Sequence, residues 1–209
     1  MTPIGNRRGI WVKLKDSPAK NPVRKWVSES VTPYFRMVVN TGEKPVFTRT
    51  SVGKKSVLLR SGGAFLFAEM KPVFKPVVAL DGTVVLSRGG KMLRPHIHGK
   101  NNRSILIALQ GFSKFINEHM EELRREGVKG VLIESADETF NQFAIKKLRG
   151  EEVRGNVNTK FMLPILIKVA PRVFPNAIPK SKTMKGRRIW IPIENAARYQ
   201  KNVTYELVD

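Results

Sequence analysis

A chain of 209 residues is large for one small domain and short for two full ones, so a single domain with extensions is the expectation. Lys and Arg outnumber Asp and Glu 38 to 17, a net charge of +21, while 41% of residues are hydrophobic; this excludes a disordered basic tail and points to a folded body with a basic surface. Cysteine is absent, which excludes disulfides, thiolate zinc sites and the zinc-finger class of nucleic-acid binders.

The N-terminus, MTPIGNRRGIWVKLK, has no apolar run of signal-peptide length. The apolar stretches SILIALQGF and FMLPILIKVA stop well short of the roughly 18 residues that span a bilayer. An intracellular or virion-associated protein, with no transmembrane segment and no membrane partner, is expected.

The first hundred residues read as short strands between turn signals: 10–14, 34–39, 45–50, 56–60 and 64–70, all rich in β-branched and aromatic residues. In VVALDGTVVLS, Asp81-Gly82 sits between two apolar runs and predicts a hairpin of 76–80 with 83–87 closed by a type I′ turn. After Arg103 the apolar period changes to about 3.6. Ile105, Leu109, Phe112, Ile116, Met120 and Leu123 predict a helix over 104–126, capped by Ser104 and stopped by Gly127. Val131-Leu132-Ile133 reads as a short buried strand or turn. Ser135-Ala136-Asp137-Glu138 matches a capping box and opens a second helix, 136–148, ended by Gly150.

Residues 160–169 read as one more strand, interrupted by Pro164. Pro171, Pro175 and Pro179, with Arg172, Lys180, Lys182 and Lys185 and no apolar period, read as a basic Pro-rich arm over 171–188. RRIWIPI (187–193) is a last strand, followed by a polar tail. The expected organisation is one α+β domain over 1–170, strand-rich over 1–103 and helical over 104–150, then the arm at 171–188 and a C-terminal strand and tail at 189–209. Strands, two helices and strands again predict a largely antiparallel sheet with both helices packed on one face.

The charge is uneven along this plan. Residues 1–60 carry 13 basic and 3 acidic side chains, residues 61–103 carry 7 and 2, residues 104–160 carry 9 of each, and residues 161–209 carry 9 and 3. Basic strand-rich ends thus flank a neutral helical centre, and the partner implied is a polyanion: a nucleic-acid backbone or an acidic neighbouring subunit. The residues expected at phosphates are Arg7, Arg8, Arg24, Lys25, Lys54, Lys55, Arg60, Arg88, Lys91, Arg94, Lys180, Lys182, Lys185, Arg187 and Arg188. Aromatics lie among them, but Trp11 and Trp190 alternate with apolar neighbours and read as core; Trp26 stays open between core and base-stacking. A helix-turn-helix over 104–148 is rejected, because a DNA-reading helix should not be the least basic element of the chain.

Catalytic signals are sparse. Glu69-Met70-Lys71 places a carboxylate and an ammonium on one side of a strand, the spacing metal-dependent nucleases use to hold Mg²⁺ and position a water. The second acid such a site needs has one nearby candidate, Glu43, and the simpler reading is a solvated ion pair at a strand end. His96 and His98 have metal-ligand spacing, yet no acidic residue lies within ten positions of either. Ser51-Val52-Gly53-Lys54-Lys55-Ser56 lacks the first glycine of a phosphate loop, and Arg88-Gly89-Gly90-Lys91 lacks its flanks. No cofactor motif is present. The leading expectation is a non-enzymatic structural protein of a nucleoprotein assembly, such as a virus or phage particle or a ribosome-like complex, contacting nucleic acid and other subunits; the alternative is a nuclease built on Glu69 and Lys71.

Overall fold

The computed structural model describes residues 35–37, 56–98, 102–135, 138–155, 177–179, 186–200 and 202–207. In chain order its strands are β1 (Phe35–Met37), β2 (Ser56–Ser61), β3 (Ala64–Pro72), β4 (Val77–Val78), β5 (Val84–Leu86), β6 (Lys91–His98), β7 (Val128–Ser135), β8 (Glu151–Val153), β9 (Ala177–Pro179), β10 (Arg187–Pro192) and β11 (Glu206–Leu207). Its helices are α1 (Asn102–Glu118), α2 (Met120–Arg125), α3 (Glu138–Lys146) and α4 (Ile193–Ala196). The expected strands at 10–14, 45–50 and 160–169 lie outside the described residues.

Seven strands form one sheet in the order β11-β2-β3-β6-β7-β10-β8. Every neighbouring pair is antiparallel except β6–β7, where Lys91–Leu93 runs parallel to residues 128–131. A parallel pair needs a crossover of a dozen or more residues, and α1 with α2 supplies it. The protein is an α+β fold with a mostly antiparallel sheet, and the described helices pack on one of its faces.

That face holds the main core, because alternation along each strand delivers every second residue to it. Val57 and Leu59 from β2, Leu66, Ala68 and Met70 from β3, Leu93 from β6, Val131 and Ile133 from β7, and Ile189 and Ile191 from β10 meet Ala108, Phe112, Phe115 and Ile116 of α1 and Ala144 beyond them on α3. Each fully buried Leu, Ile or Phe contributes about 1.5–3 kcal/mol of apolar burial. The opposite face has a smaller cluster at one end. Met92, Leu132, Trp190 and Val153 lie there against Val73, which follows β3, and against Val77 and Leu86 of the β4–β5 hairpin. Trp190 is buried as its strand pattern predicts; Trp11 and Trp26 lie outside the described residues.

The predicted hairpin forms, but not with a type I′ turn. Asp81 keeps negative φ, and only Gly82 crosses to +101°. The Ala79 carbonyl accepts from Gly82 N–H (3.1 Å) and Ala79 N–H donates to the Thr83 carbonyl (2.8 Å). The loop is therefore three residues, with glycine at the positive-φ position that closes it. The Asp81 carboxylate accepts from Thr83 N–H (2.8 Å) and from the Thr83 hydroxyl (3.1 Å), which fixes the turn. These two bonds, the N–H first, hold the Asp81 carboxyl below its ordinary value, with Arg154 adding in the same direction.

The helix expected over 104–126 is two helices that meet at His119, with helical hydrogen bonds running through the junction from His119 N–H to Phe115 (3.1 Å) and from Leu123 N–H to His119 (2.9 Å). It begins at Asn102, so Ser104 is inside the first turn rather than at the cap. Gly127 ends it as expected, with φ +79°. Ser135 belongs to β7, and α3 opens at Glu138. Its end is unusual: Arg149, not a glycine, takes the left-handed position (φ +49°), and Gly150 N–H closes onto the Ala144 carbonyl (3.0 Å).

Candidate nucleic-acid interface

The described body neutralises much of its own charge. On the open face of the sheet, strand alternation brings Glu69 and Lys71 of β3, Arg94 of β6, Glu134 of β7 and Arg188 of β10 into one band beside the small apolar cluster. Arg94 Nη2 donates to Glu134 Oε2 at 2.6 Å, and Arg188 Nε lies 2.9 Å from Glu134 Oε1. One carboxylate thus holds two guanidinium groups, each about a quarter exposed. Arg188 also donates to the Arg154 carbonyl at 3.0 Å.

Other basic residues expected at phosphates are similarly engaged. Lys91 is 3.5 Å from Glu126, and Arg187 is 3.5 Å from both Glu138 and Glu152. Arg60 and Arg88 are exposed and have no carboxylate partner among the described residues; the Arg60 guanidinium lies 5.8 Å from the Phe65 ring centre. Arg7, Arg8, Arg24, Lys25, Lys54, Lys55, Lys180, Lys182 and Lys185 lie outside the described residues. Nothing in the sequence pattern singles out the counter-ions Glu134, Glu138, Glu152 and Glu126. The alternation of VLIES puts Glu134 on the polar face of its strand, but which cations it meets depends on the β6–β7–β10 order.

The Glu69–Lys71 pair forms, but it is not a solvated strand-end contact. Glu69 is 2% exposed and its Oε2 is bound by the Lys71 ammonium. In register, Glu69 stands between Ser56 of β2 and Arg94 of β6. The nearest carboxylate across the band, Glu134, lies beyond Arg94 and is already held by two arginines. A dication placed at Glu69 would meet the positive fields of Lys71 and Arg94, which oppose it. Glu43 lies outside the described residues, and the described residues contain no group of three or more His, Asp or Glu arranged to hold a metal ion.

His96 sits on the open face, half-buried, with its ring centre 6.2 Å from that of Phe67, its register partner. His98 is the last residue of β6, opposite Phe65. His119 marks the α1–α2 junction, its ring centre 4.7 Å from that of Phe115. His96 and His98 thus lie two positions apart on one strand, and His119 stands apart from both at the helix junction. No described helix is long and apolar enough to cross a membrane.

The charge excess therefore lies elsewhere. Residues 1–55 carry 12 Lys and Arg against 3 Asp and Glu, and residues 156–185 carry 6 Lys and Arg with no acidic residue. These two segments, far apart in sequence, are joined by one described pairing: β1 runs antiparallel to β9, with Phe35 opposite Pro179, Arg36 opposite Ile178 and Met37 opposite Ala177. Part of the stretch read as an arm thus forms a strand; residues 171–176 and 180–185 lie outside the described residues. No known protein family, curated protein or solved structure matches the chain.

Proposed function

We propose that this protein is a basic, non-enzymatic component of a nucleoprotein assembly, such as a virus or phage particle or a ribosome-like complex, that binds a phosphate backbone through residues 1–55 and 156–185. The observation that carries the reading is the partition of charge. Lys91, Arg94, Arg187 and Arg188 of the described sheet face carboxylates at salt-bridge distance, while most of the +21 excess belongs to two acid-poor segments. Cations already offset within a fold add little to a long-range field, whereas an uncompensated run attracts polyanions and releases their counter-ions. The described sheet and helices, which carry the smaller share of the excess, then serve as the scaffold and as the surface offered to other subunits.

Filter binding of DNA and RNA at two ionic strengths tests this. Affinity should fall by orders of magnitude between low and moderate salt. Salt-independent binding would contradict the electrostatic basis. Absence of any binding at low salt would instead favour an acidic protein as the partner. The nuclease alternative is weakened by the cations around Glu69; plasmid incubated with Mg²⁺ should stay intact with both the native protein and Glu69→Ala, and cleavage by the native protein alone would revive it.

A further inference from the structure

The turn Arg88-Gly89-Gly90-Lys91 lacks the flanks of a phosphate loop, but the fold sets it beside an exposed aromatic ring. The β3–β6 register ends with Pro72 opposite Lys91. One step on, Val73 N–H donates to the Gly90 carbonyl (2.9 Å) and Gly89 N–H donates to the Val73 carbonyl (2.8 Å), so two glycines oppose one valine in a β-bulge. Gly90 N–H closes the turn onto the Ser87 carbonyl (3.0 Å), with Gly89 at φ +82°. Phe74 and Arg88 are therefore the next residues along the two facing chains. Val73 and Leu86 are buried in the small cluster beneath them, which holds the backbone under both side chains.

Phe74 is 86% exposed, the most exposed large apolar side chain among the described residues. Lys75 and Arg88 are exposed and have no carboxylate partner among the described residues, whereas Lys71 and Lys91 are held by Glu69 and Glu126. Asp81, the one acidic residue between Lys71 and Lys91, lies at the far turn of the hairpin with its carboxylate bonded to Thr83. A Cβ built on Gly89 meets nothing within 4 Å, so the surface next to Arg88 is open. We infer that Phe74, Lys75 and Arg88 form a single-strand contact: an unstacked base of DNA or RNA lies on the Phe74 ring, and its flanking phosphates meet the two cations. The inference rests on nucleic acid as the partner and adds a base contact to the phosphate contacts proposed above. An exposed ring offers a π face on which any base can stack, and cations at its rim neutralise the adjoining phosphates. A duplex has its bases already stacked on both sides, so such a ring favours single strands. Leu80 and Val84, the hairpin's other exposed apolar side chains, lie toward the Asp81-Gly82 turn; being aliphatic, they offer no π face.

The test uses the full-length chain and labelled probes of about 20 nucleotides, long enough to cover one single-strand site. The probes are single-stranded DNA, single-stranded RNA, a DNA duplex, and a strand of abasic sites that keeps the phosphates and lacks the bases. Binding is read by fluorescence anisotropy at low salt. The native protein should bind a base-carrying strand at least about fivefold more tightly than the abasic strand, since one stacked base is worth roughly 5- to 150-fold in affinity. Phe74→Ala should bring the two level, and Phe74→Trp should keep the preference. Lys75→Gln with Arg88→Gln should flatten the single-strand salt slope by about 1.4 units, ~0.7 for each phosphate released, while the base preference stays. Leu80→Ser should change neither quantity. A strand carrying 5-iodouracil should form a photo-adduct on the peptide that contains Phe74, and the tighter of the DNA and RNA strands identifies the ligand's source.

Equal affinity of the native protein for base-carrying and abasic strands, or an undiminished preference in Phe74→Ala, would overturn the inference and leave the phosphate-binding reading intact. A loss in Leu80→Ser as large as that in Phe74→Ala would overturn the stacking contact in favour of an apolar docking surface for protein. No binding of any probe at low salt would overturn the underlying reading itself.

Discussion

Glu134→Gln isolates the cost of the charge band on the open face. The carboxylate of Glu134 holds Arg94 at 2.6 Å and Arg188 at 2.9 Å, and all three side chains are less than a third exposed. Glutamine keeps the shape and one acceptor but removes the charge, leaving two guanidinium groups facing each other with reduced compensation. Losing the partner of a buried ion pair costs about 3–5 kcal/mol, and a hydrogen bond to a charged group about 1.5–3 kcal/mol. Partial exposure lets water screen the arginines, and the retained amide oxygen still accepts one bond. The expected loss is about 2–3 kcal/mol. Urea unfolding followed by far-UV circular dichroism should show the midpoint falling by about 1 M with unchanged slope, taking about 2–3 kcal/mol per M as the slope for a chain of this size. Arg94→Gln in the Glu134→Gln background should then cost less than in the native protein, since its partner is already weakened. A midpoint shift below about 0.2 M, or full additivity of the two changes, would refute the claim that Glu134 is the shared counter-ion.

Gly130→Ala places a Cβ 2.4 Å from the Ile191 carbonyl oxygen and 2.6 Å from the Trp190 ring, so the β7–β10 pairing must shift; a loss of about 1–3 kcal/mol or more in chemical denaturation is expected. Arg149→Gly relieves a left-handed residue at the end of α3 and should raise the unfolding midpoint by the equivalent of about 0.5–1 kcal/mol. Asp81 has a lowered folded-state pKa, so its contribution is present above the unfolded carboxyl pKa near 4 and is lost as pH falls through the lower folded value. Asp81→Asn should therefore narrow its stability difference from the native protein in acid and show the full difference at neutral pH, read from denaturation midpoints across roughly pH 2–7.

The reach of the sequence differs from element to element. The strands at 56–61 and 64–72 are legible because each is a short run rich in β-branched, apolar and aromatic residues, and Gly62-Gly63 marks the turn between them. The strand Lys91–His98 is harder to see, since Pro95 interrupts it; pairing with β7 ends at Leu93, so beyond that point the strand bonds on one side only and tolerates a proline. The I′ expectation fails because Asp-Gly serves equally as the end of a three-residue loop, and flanking apolar runs do not fix the loop length. The ion pairs of Arg94 and Arg188 depend on strand order, which joins residues about 40 and 54 positions from Glu134 and leaves no local trace. The β1–β9 pairing is shorter still, three residues a side across some 140 positions, and no periodicity announces it.

The central claim is that binding charge lies in residues 1–55 and 156–185 and not in the sheet. It is tested most directly by comparing the salt slopes of two charge-removed proteins on one DNA duplex. The first carries Lys54→Gln, Lys55→Gln, Lys180→Gln and Lys182→Gln; the second carries Lys91→Gln and Arg124→Gln, whose native partners are Glu126 and the pair Glu121 and Glu194. The account predicts that the first slope flattens by about 3–4 units, close to one for each phosphate no longer neutralised, while the second keeps the native slope. Equal flattening in both, or flattening confined to the second, would contradict it.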